Sequence, residues 1–337
     1  MKQVLVIGGG IAGMEASAKL SELGLSVTIV EQTDKLGGKL NHWDRLFPHN
    51  LPAKDLLKKL HTSLDKNVQK YLNTEVVSIQ KAKKQFYYSL RGGEELKADA
   101  ILVSTGFEVF NARKKEEYGY GIYENVITSA DLEQIFRTNG NLKTHAGKSP
   151  ERIGIIHCVG SRDEKAGHSY CSQVCCITAV KQAIEIREKL PKAEVFCFYM
   201  DLRMFGRHFE TIYKDAQIKH GVQFIRGRLS EAFENANGSI MLKVEDTLLG
   251  KPLKMNVDLV VLMVGMTPAA NAARIKDMLE LELADDGFFV PLEVPYGSTQ
   301  TSIPGVFVAG TSTGPKTMEN TINEARAAAL DIKEYLE

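Results

Sequence analysis

The sequence predicts an α/β protein of mostly parallel sheets with helices on both faces, arranged as two dinucleotide-binding-type domains. Three observations carry that expectation. A glycine fingerprint, Gly8-x-Gly10-x-x-Gly13, joins an apolar run to a helical one. Strand-like and helix-like segments then alternate along the chain. A second strand–helix–strand series follows a polar stretch near 139–150, and 337 residues suffice for two domains of ordinary size.

Gln3 to Ile7 is a short apolar run suited to a buried parallel strand. Ile11 to Leu23 has helical composition, and Gly24 stops it. Ser26 to Val30 is a second strand, ending at Glu31. Ala53 to Lys66 reads as an amphipathic helix. Glu75–Gln80 and Gln85–Leu90 read as a small antiparallel element, turned at Gly92-Gly93. Ala100 to Val103 is a strand ending in Ser104-Thr105-Gly106. The stretch from Asn139 to Pro150 is polar and punctuated by glycine and proline, so a domain boundary is expected there. Beyond it come strand Ile153–His157, helix Cys175–Leu190, strand Glu194–Tyr199, helix Gly206–Lys219 and strand Val222–Arg226. Val257–Val264 is the most strand-like run. Val306–Ala309 is the last strand, followed by Gly310 and a helix from about Glu319. The expected division is 1–145 with 266–337 as one discontinuous domain and 146–265 as the insertion.

Composition narrows the function. Apolar residues are 44% and charged residues 25%, as in ordinary globular proteins. Basic and acidic residues balance at 42 each, so nucleic acid is not an expected partner. No apolar run approaches the ~18 residues of a transmembrane helix. Val4 to Ile7 is too short for a signal peptide, so the expected location is cytoplasmic.

The fingerprint has the context that dinucleotide binding requires, between a strand and a helix, with Glu31 18 residues past Gly13. Gly8 allows the tight turn. Gly10 admits a pyrophosphate against backbone, at a helix N-terminus that stabilises its charge. Gly13 lets helix and strand pack closely. Glu31 is expected to accept from an adenosine ribose. Leu36-Gly37-Gly38 supplies bare backbone near the same crevice.

The middle domain does not repeat this loop. Where a second fingerprint would stand, the chain reads Arg152-Ile-Gly-Ile-Ile-His157-Cys158-Val-Gly160-Ser-Arg162-Asp163, with Gly160 alone in the loop. NAD(P)H is therefore not expected there. Cysteines replace the glycines. Four of the five fall in the pattern Cys158-x12-Cys171-x3-Cys175-Cys176, while Cys197 lies in an apolar strand and reads as core. Four thiolates suit a [4Fe–4S] cluster, two suit a redox dithiol, and structural zinc is the third chemistry open to such a group. His157 and His168 flank the segment and are read as packed or surface histidines.

Several motifs resemble known families. Ala100-Ile-Leu-Val-Ser-Thr105-Gly106 and Ile303-Pro-Gly-Val-Phe-Val-Ala-Gly310 resemble motifs of flavoproteins with two dinucleotide domains. The segments Cys158-Val-Gly-Ser-Arg162, Tyr170-Cys-Ser-Gln-Val-Cys-Cys176, Met200-Asp-Leu-Arg203, Val261-Leu-Met-Val-Gly-Met266 and Gly314-Pro-Lys316 resemble the A subunit of heterodisulfide reductase. That resemblance implies a thioredoxin-reductase-like fold: a Rossmann-type FAD domain with an inserted second Rossmann-like domain. It implies FAD contacts at Gly8, Gly10, Ile11, Ala12, Gly13, Glu31, Gln32, Gly38, Lys39, Val77, Thr105, Gly106, Gly310, Thr311, Lys316 and Met318. It implies a [4Fe–4S] cluster on Cys158, Cys171, Cys175 and Cys176, and Lys181 near the flavin as a catalytic group.

In those families an acidic residue follows the last glycine, and here Thr311 stands in its place. The methanogen-type form also carries further ferredoxin-type clusters, for which no cysteines remain here. The resemblance therefore implies the short form found in sulfur metabolism, a homodimer, and B- and C-type subunits or other electron carriers as partners. An NAD(P)H-dependent disulfide reductase using Cys171, Cys175 and Cys176 and a non-catalytic scaffold with structural cofactors are the alternatives.

Overall fold

The computed structural model describes residues 1–138 and 140–337, so Asn139 of the expected boundary lies outside the described residues. The chain divides into two compact units. The first comprises Met1–Asn41, Ala53–Glu108 and Thr267–Glu337, the second His42–Pro52 and Val109–Met266.

The first unit is built on a five-stranded parallel sheet. Its strands run in the order Val306–Val308, Ala100–Val103, Gln3–Ile7, Ser26–Val30, Gln69–Tyr71. The central strands are buried on both faces, which is why they read as continuous apolar runs. Helix Ile11–Glu22 packs against the final helix, Met318–Leu336, through the alanine-rich sides of both. Gly24, with φ +79°, takes the left-handed turn that ends the first helix. A three-stranded antiparallel sheet, Val76–Ala82, Gln85–Leu90 and Glu95–Ala98, completes this unit.

The second unit repeats the plan. Its parallel sheet runs Val126–Thr128, Leu259–Val264, Arg152–Val159, Glu194–Tyr199, Gln223–Arg226, beside an antiparallel sheet of Leu229–Glu234, Ile240–Asp246 and Lys251–Val257. The expected strand Val257–Val264 is thus two strands. They break at Asp258, whose carboxylate accepts the N–H groups of Glu151 and Arg152 at 2.8 and 2.9 Å.

The domain limits differ from the expected ones. The polar stretch before Pro150 lies inside the second unit, because Val126–Thr128 already pairs with Leu259–Val264. Leu132 and Phe136 of helix Ser129–Arg137 also share a buried core with Ile153 and Ile155. Polarity marked a surface loop there, not a division. No helix among the described residues is long and apolar enough to cross a membrane.

Candidate functional site

The glycine fingerprint forms a cradle in the first unit. Gly8 takes φ +105°, and a Cβ there would stand 2.5 Å from Ser104 O. At Gly13 a Cβ would stand 1.9 Å from Gly8 O, so only glycine lets helix and strand approach this closely. Around Gly10 the same construction meets nothing within 4 Å: the backbone faces open space. Gly10 caps the helix with no side-chain bond, and no acidic residue occupies the first turn. That leaves amide donors and a positive helix end for a pyrophosphate.

Beside the cradle is a solvent-open cleft, lined by residues that include Gly8, Glu31, Gln32, Val76, Thr105 and Asn271. Thr105 Oγ1 and Asn271 Oδ1 are buried without a hydrogen-bond partner. The bare glycine backbone and these orphaned oxygens fit a bound dinucleotide. Glu31 does line the cleft, but its carboxylate is already engaged: it accepts from Gly9 N at 2.7 Å and from Thr33 N and Oγ1 at 2.9 and 2.8 Å.

Other expected contacts sort differently. Gly38 meets the cradle, where its Cβ position is 3.1 Å from Gly10 Cα. Gly310 abuts Ala12, and Gly106 neighbours Thr311 Oγ1. Ile11 and Ala12 open the first helix. Lys39 is ion-paired to Glu108 at 2.6 Å. Val77 is 43% exposed and does not line the cleft. Val76, 3% exposed, does, because successive strand residues point to opposite faces. Lys316 Nζ pairs with Glu324 at 2.7 Å. Met318 opens the final helix, whose N-cap Thr317 accepts from Asn320 N at 3.2 Å. Glu324 was not anticipated. It accepts the Gly310 N–H from fourteen residues away, and no short motif links the two.

The second unit holds the cysteines. Cys158 sits where the register of its strand with Leu259–Val264 shifts between Ile156 and Val159, and its φ is +59°. Such a bulge re-aims a side chain. Helix Cys175–Lys189 begins on the cysteine pair with no side-chain cap and no acidic first-turn residue, an environment that favours thiolate. Cys158, Cys175 and Cys176 are buried, and Cys175 is hydrogen-bonded to both of the others. Those bonds push the Cys175 thiol up. The bond from Cys175 pulls the other two down, with Arg162 adding at Cys158 and His157 at Cys176.

Cys171 is not among these three. It is half-exposed, and its Sγ accepts from Gln173 N at 3.3 Å. Its loop is tied elsewhere, by the Arg162 N–H to Tyr170 O at 2.9 Å and by the Met266 N–H to Ser172 Oγ at 3.2 Å. Among the described residues no set of three or more His, Cys, Asp or Glu side chains has the arrangement of a metal-ion site. Cys197 is fully buried, as expected of a core residue. His168 Nδ1 lies 3.1 Å from Gly160 O.

Lys181 is no surface lysine. It is 6% exposed, pairs with the buried Glu133, donates to Arg45 O at 3.0 Å and lies 3.5 Å from Glu185 Oε2. Glu133 and Glu185 carried no sequence signal, since each reads as an ordinary helix glutamate.

Fold and cradle define a dinucleotide-binding oxidoreductase of the two-domain type, and the chain belongs to the pyridine nucleotide-disulphide oxidoreductase family, which it matches over residues 2–156 and 177–329. All four clustered cysteines fall in the stretch between those two matches. Thioredoxin reductases from Lactococcus lactis and T. acidophilum share the fold, with TM-scores of 0.70 and 0.68 at 17% and 18% identity. The match covers 100% and 99% of this chain and 99% of each of theirs. Among curated relatives, the chain is 32% identical to the iron-sulfur A subunit of the CoB–CoM heterodisulfide reductase of Methanocaldococcus jannaschii, over 98% of its own length. It is 33% identical to an A subunit of the same name from Methanopyrus kandleri, over 97%. It spans just under two thirds of these relatives, 64% and 63%. The first alignment has 418 positions against 337 residues, so at least 81 positions of the relative face a gap here. Family, fold and cradle support FAD as the dinucleotide.

Proposed function

We propose that this chain is an FAD- and [4Fe–4S]-containing electron-transfer subunit of a heterodisulfide-reductase-like complex, serving anaerobic or sulfur metabolism. One observation carries the reading. The stretch where the chain leaves its general family is the stretch that holds four cysteines, and the heterodisulfide reductase relatives align across nearly the whole chain. The donor set suits the cluster in kind and number, and three of its thiols are already neighbours. The relatives' own description as iron-sulfur proteins agrees.

FAD, when bound, supplies the conversion between two-electron and one-electron transfer. The chain's part is to hold and tune. The bare helix end at Gly10 takes the pyrophosphate, Thr105 and Thr311 offer hydroxyls beside it, and the uncapped end at Cys175 stabilises thiolate charge. Lys181, on the cysteine helix itself, pairs with the buried Glu133 inside the second unit. Partners are B- and C-type subunits or other electron carriers, and the working unit is a cytoplasmic homodimer.

A second reading has one observation in its favour. Three neighbouring thiols, with Cys175 hydrogen-bonded to the other two and those two pulled toward thiolate, also suit a redox dithiol. Serine substitution separates the two. Under anaerobic conditions, Cys158→Ser, Cys171→Ser, Cys175→Ser and Cys176→Ser each lose iron while Cys197→Ser keeps it. An iron-free wild-type chain whose thiols cycle with NADH would overturn the cluster in favour of a disulfide reductase.

A further inference from the structure

Cys158 and Cys171 stand at the two ends of one loop in the second unit. The loop is folded on itself. The Arg162 N–H donates to Tyr170 O at 2.9 Å, and Asp163 and His168 exchange backbone bonds at 2.8 and 3.1 Å. This ladder brings Tyr170, with Cys171 next to it, beside Arg162. Bonds within the loop close it, and bonds to other parts of the unit place it. The Tyr170 hydroxyl donates to Met266 O at 2.8 Å, the Met266 N–H donates to Ser172 Oγ at 3.2 Å, and Arg162 pairs with Asp201. The remaining tie is at Asp163.

Asp163 is 3% exposed, and it meets Lys115 at 2.9 Å. Lys115 belongs to a charged run, Arg113-Lys-Lys-Glu-Glu117, whose composition suits a surface, yet it is 6% exposed. Its ammonium lies 5.3 Å from the centre of the buried Tyr118 ring and also pairs with Glu117 at 2.6 Å. Arg228 brings a second cation to Asp163 at 3.2 Å, from an exposed side chain. Asp163 caps the short turn Glu164–Ala166 as well, accepting from the Ala166 N–H at 3.3 Å. One carboxylate thus ties the middle of the loop to two other segments of the unit. Desolvation offsets much of the attraction in a buried ion pair, so such a pair is a poor source of stability. What it supplies is position, since each charge is matched only where the other stands.

We propose that Lys115 is a positioning residue: through Asp163 it fixes the loop between Cys158 and Cys171, and so sets where the fourth thiol of the cluster stands. The assignment rests on the reading of the four cysteines as cluster ligands. It adds a residue that lies outside the cysteine segment.

The test has one arm without the cluster and one with it. In the metal-free full chain, amide hydrogen exchange is followed by mass spectrometry. Lys115→Met speeds exchange in residues 160–170 at least about tenfold and leaves strand Leu259–Val264 unchanged, because the tie lost is local. In the anaerobic, iron-loaded chain, Lys115→Met lowers iron per FAD and alters the EPR spectrum of the reduced cluster. Lys115→Arg, which keeps the charge, restores both. The neutral double variant Lys115→Met with Asp163→Asn leaves no unmatched charge. It recovers thermal stability while exchange and spectrum stay altered. Iron content, spectrum and loop exchange all unchanged in Lys115→Met overturn the inference alone. So does a double variant that recovers spectrum together with stability, since Lys115 would then only neutralise a buried carboxylate. A wild-type chain that takes up no iron overturns the cluster reading and the inference with it.

Discussion

Glu324 Oε2 accepts the backbone N–H of Gly310 at 2.6 Å and also holds Lys316 Nζ at 2.7 Å. The carboxylate serving the last glycine turn therefore comes from the final helix, while the position after the glycine is Thr311. Glu324→Ala strips the Gly310 N–H of its acceptor and leaves Lys316 unpaired. Urea unfolding should show a loss of about 1–3 kcal/mol, and the variant should retain less flavin on gel filtration. Glu324→Gln keeps an acceptor for Gly310 and should lose less. Equal stability of Glu324→Ala and wild type would show that the bond does not hold the turn.

Gly13→Ala tests the cradle sterically. The added Cβ would fall 1.9 Å from Gly8 O, and backbone cannot yield that far without moving the turn. The expected outcome is loss of bound flavin absorbance together with destabilisation of roughly 3 kcal/mol or more. Gly24→Ala is the control. It strains a left-handed residue by about 1 kcal/mol, meets no neighbouring atom, and should keep its flavin.

Lys181→Met leaves the buried Glu133 carboxylate without its cation, with only the neutral donors Gln182 Nε2 at 2.8 Å and Asp44 N at 3.0 Å. Removing one member of a buried pair destabilises by about 3–5 kcal/mol. The double variant Lys181→Met with Glu133→Gln should recover much of that loss in a denaturant titration, because no uncompensated charge remains. Additive losses would mean that the two side chains act independently.

Glu185 sets a pH dependence. Burial, with Asp44 and Glu133 adding, pushes its carboxyl up to about 7 against the pull of Lys181. The folded chain therefore keeps a proton that the unfolded chain releases near 4.5. Stability from this group is fully present below about pH 4.5, falls as pH rises toward 7 and is level above. Glu185→Gln should flatten that decline and gain roughly 1–3 kcal/mol at pH 8 relative to the wild-type slope. A wild-type chain whose stability does not fall between pH 5 and 7 would contradict it.

Local signals made most of the fold legible. Gln3–Ile7 and Ala100–Val103 lie where the apolar runs placed them, and the cysteine helix starts at Cys175 as expected. Each is set by neighbours in sequence: a run buried on both faces, a glycine turn, a helix stop. The rest depended on distant partners. The polar stretch before Pro150 misled because strand pairing from Val126 decides which unit it joins. The hairpin within His42–Pro52 belongs to the second unit, although glycine-rich backbone of the first precedes it directly. In the site, the glycines were legible because their role is steric and local. Glu324, Asn271, Glu133 and Glu185 were not, because each gains its meaning from a residue or cleft that the fold alone brings near. Val76, not Val77, lines the cleft, because adjacent strand residues point to opposite faces.

The most direct test of the account is one anaerobic sample assayed for iron, acid-labile sulfide and FAD, with EPR before and after dithionite. The account predicts about four irons and four sulfides per FAD, with a cluster signal that appears on reduction. Stoichiometric FAD without iron or labile sulfide would contradict it.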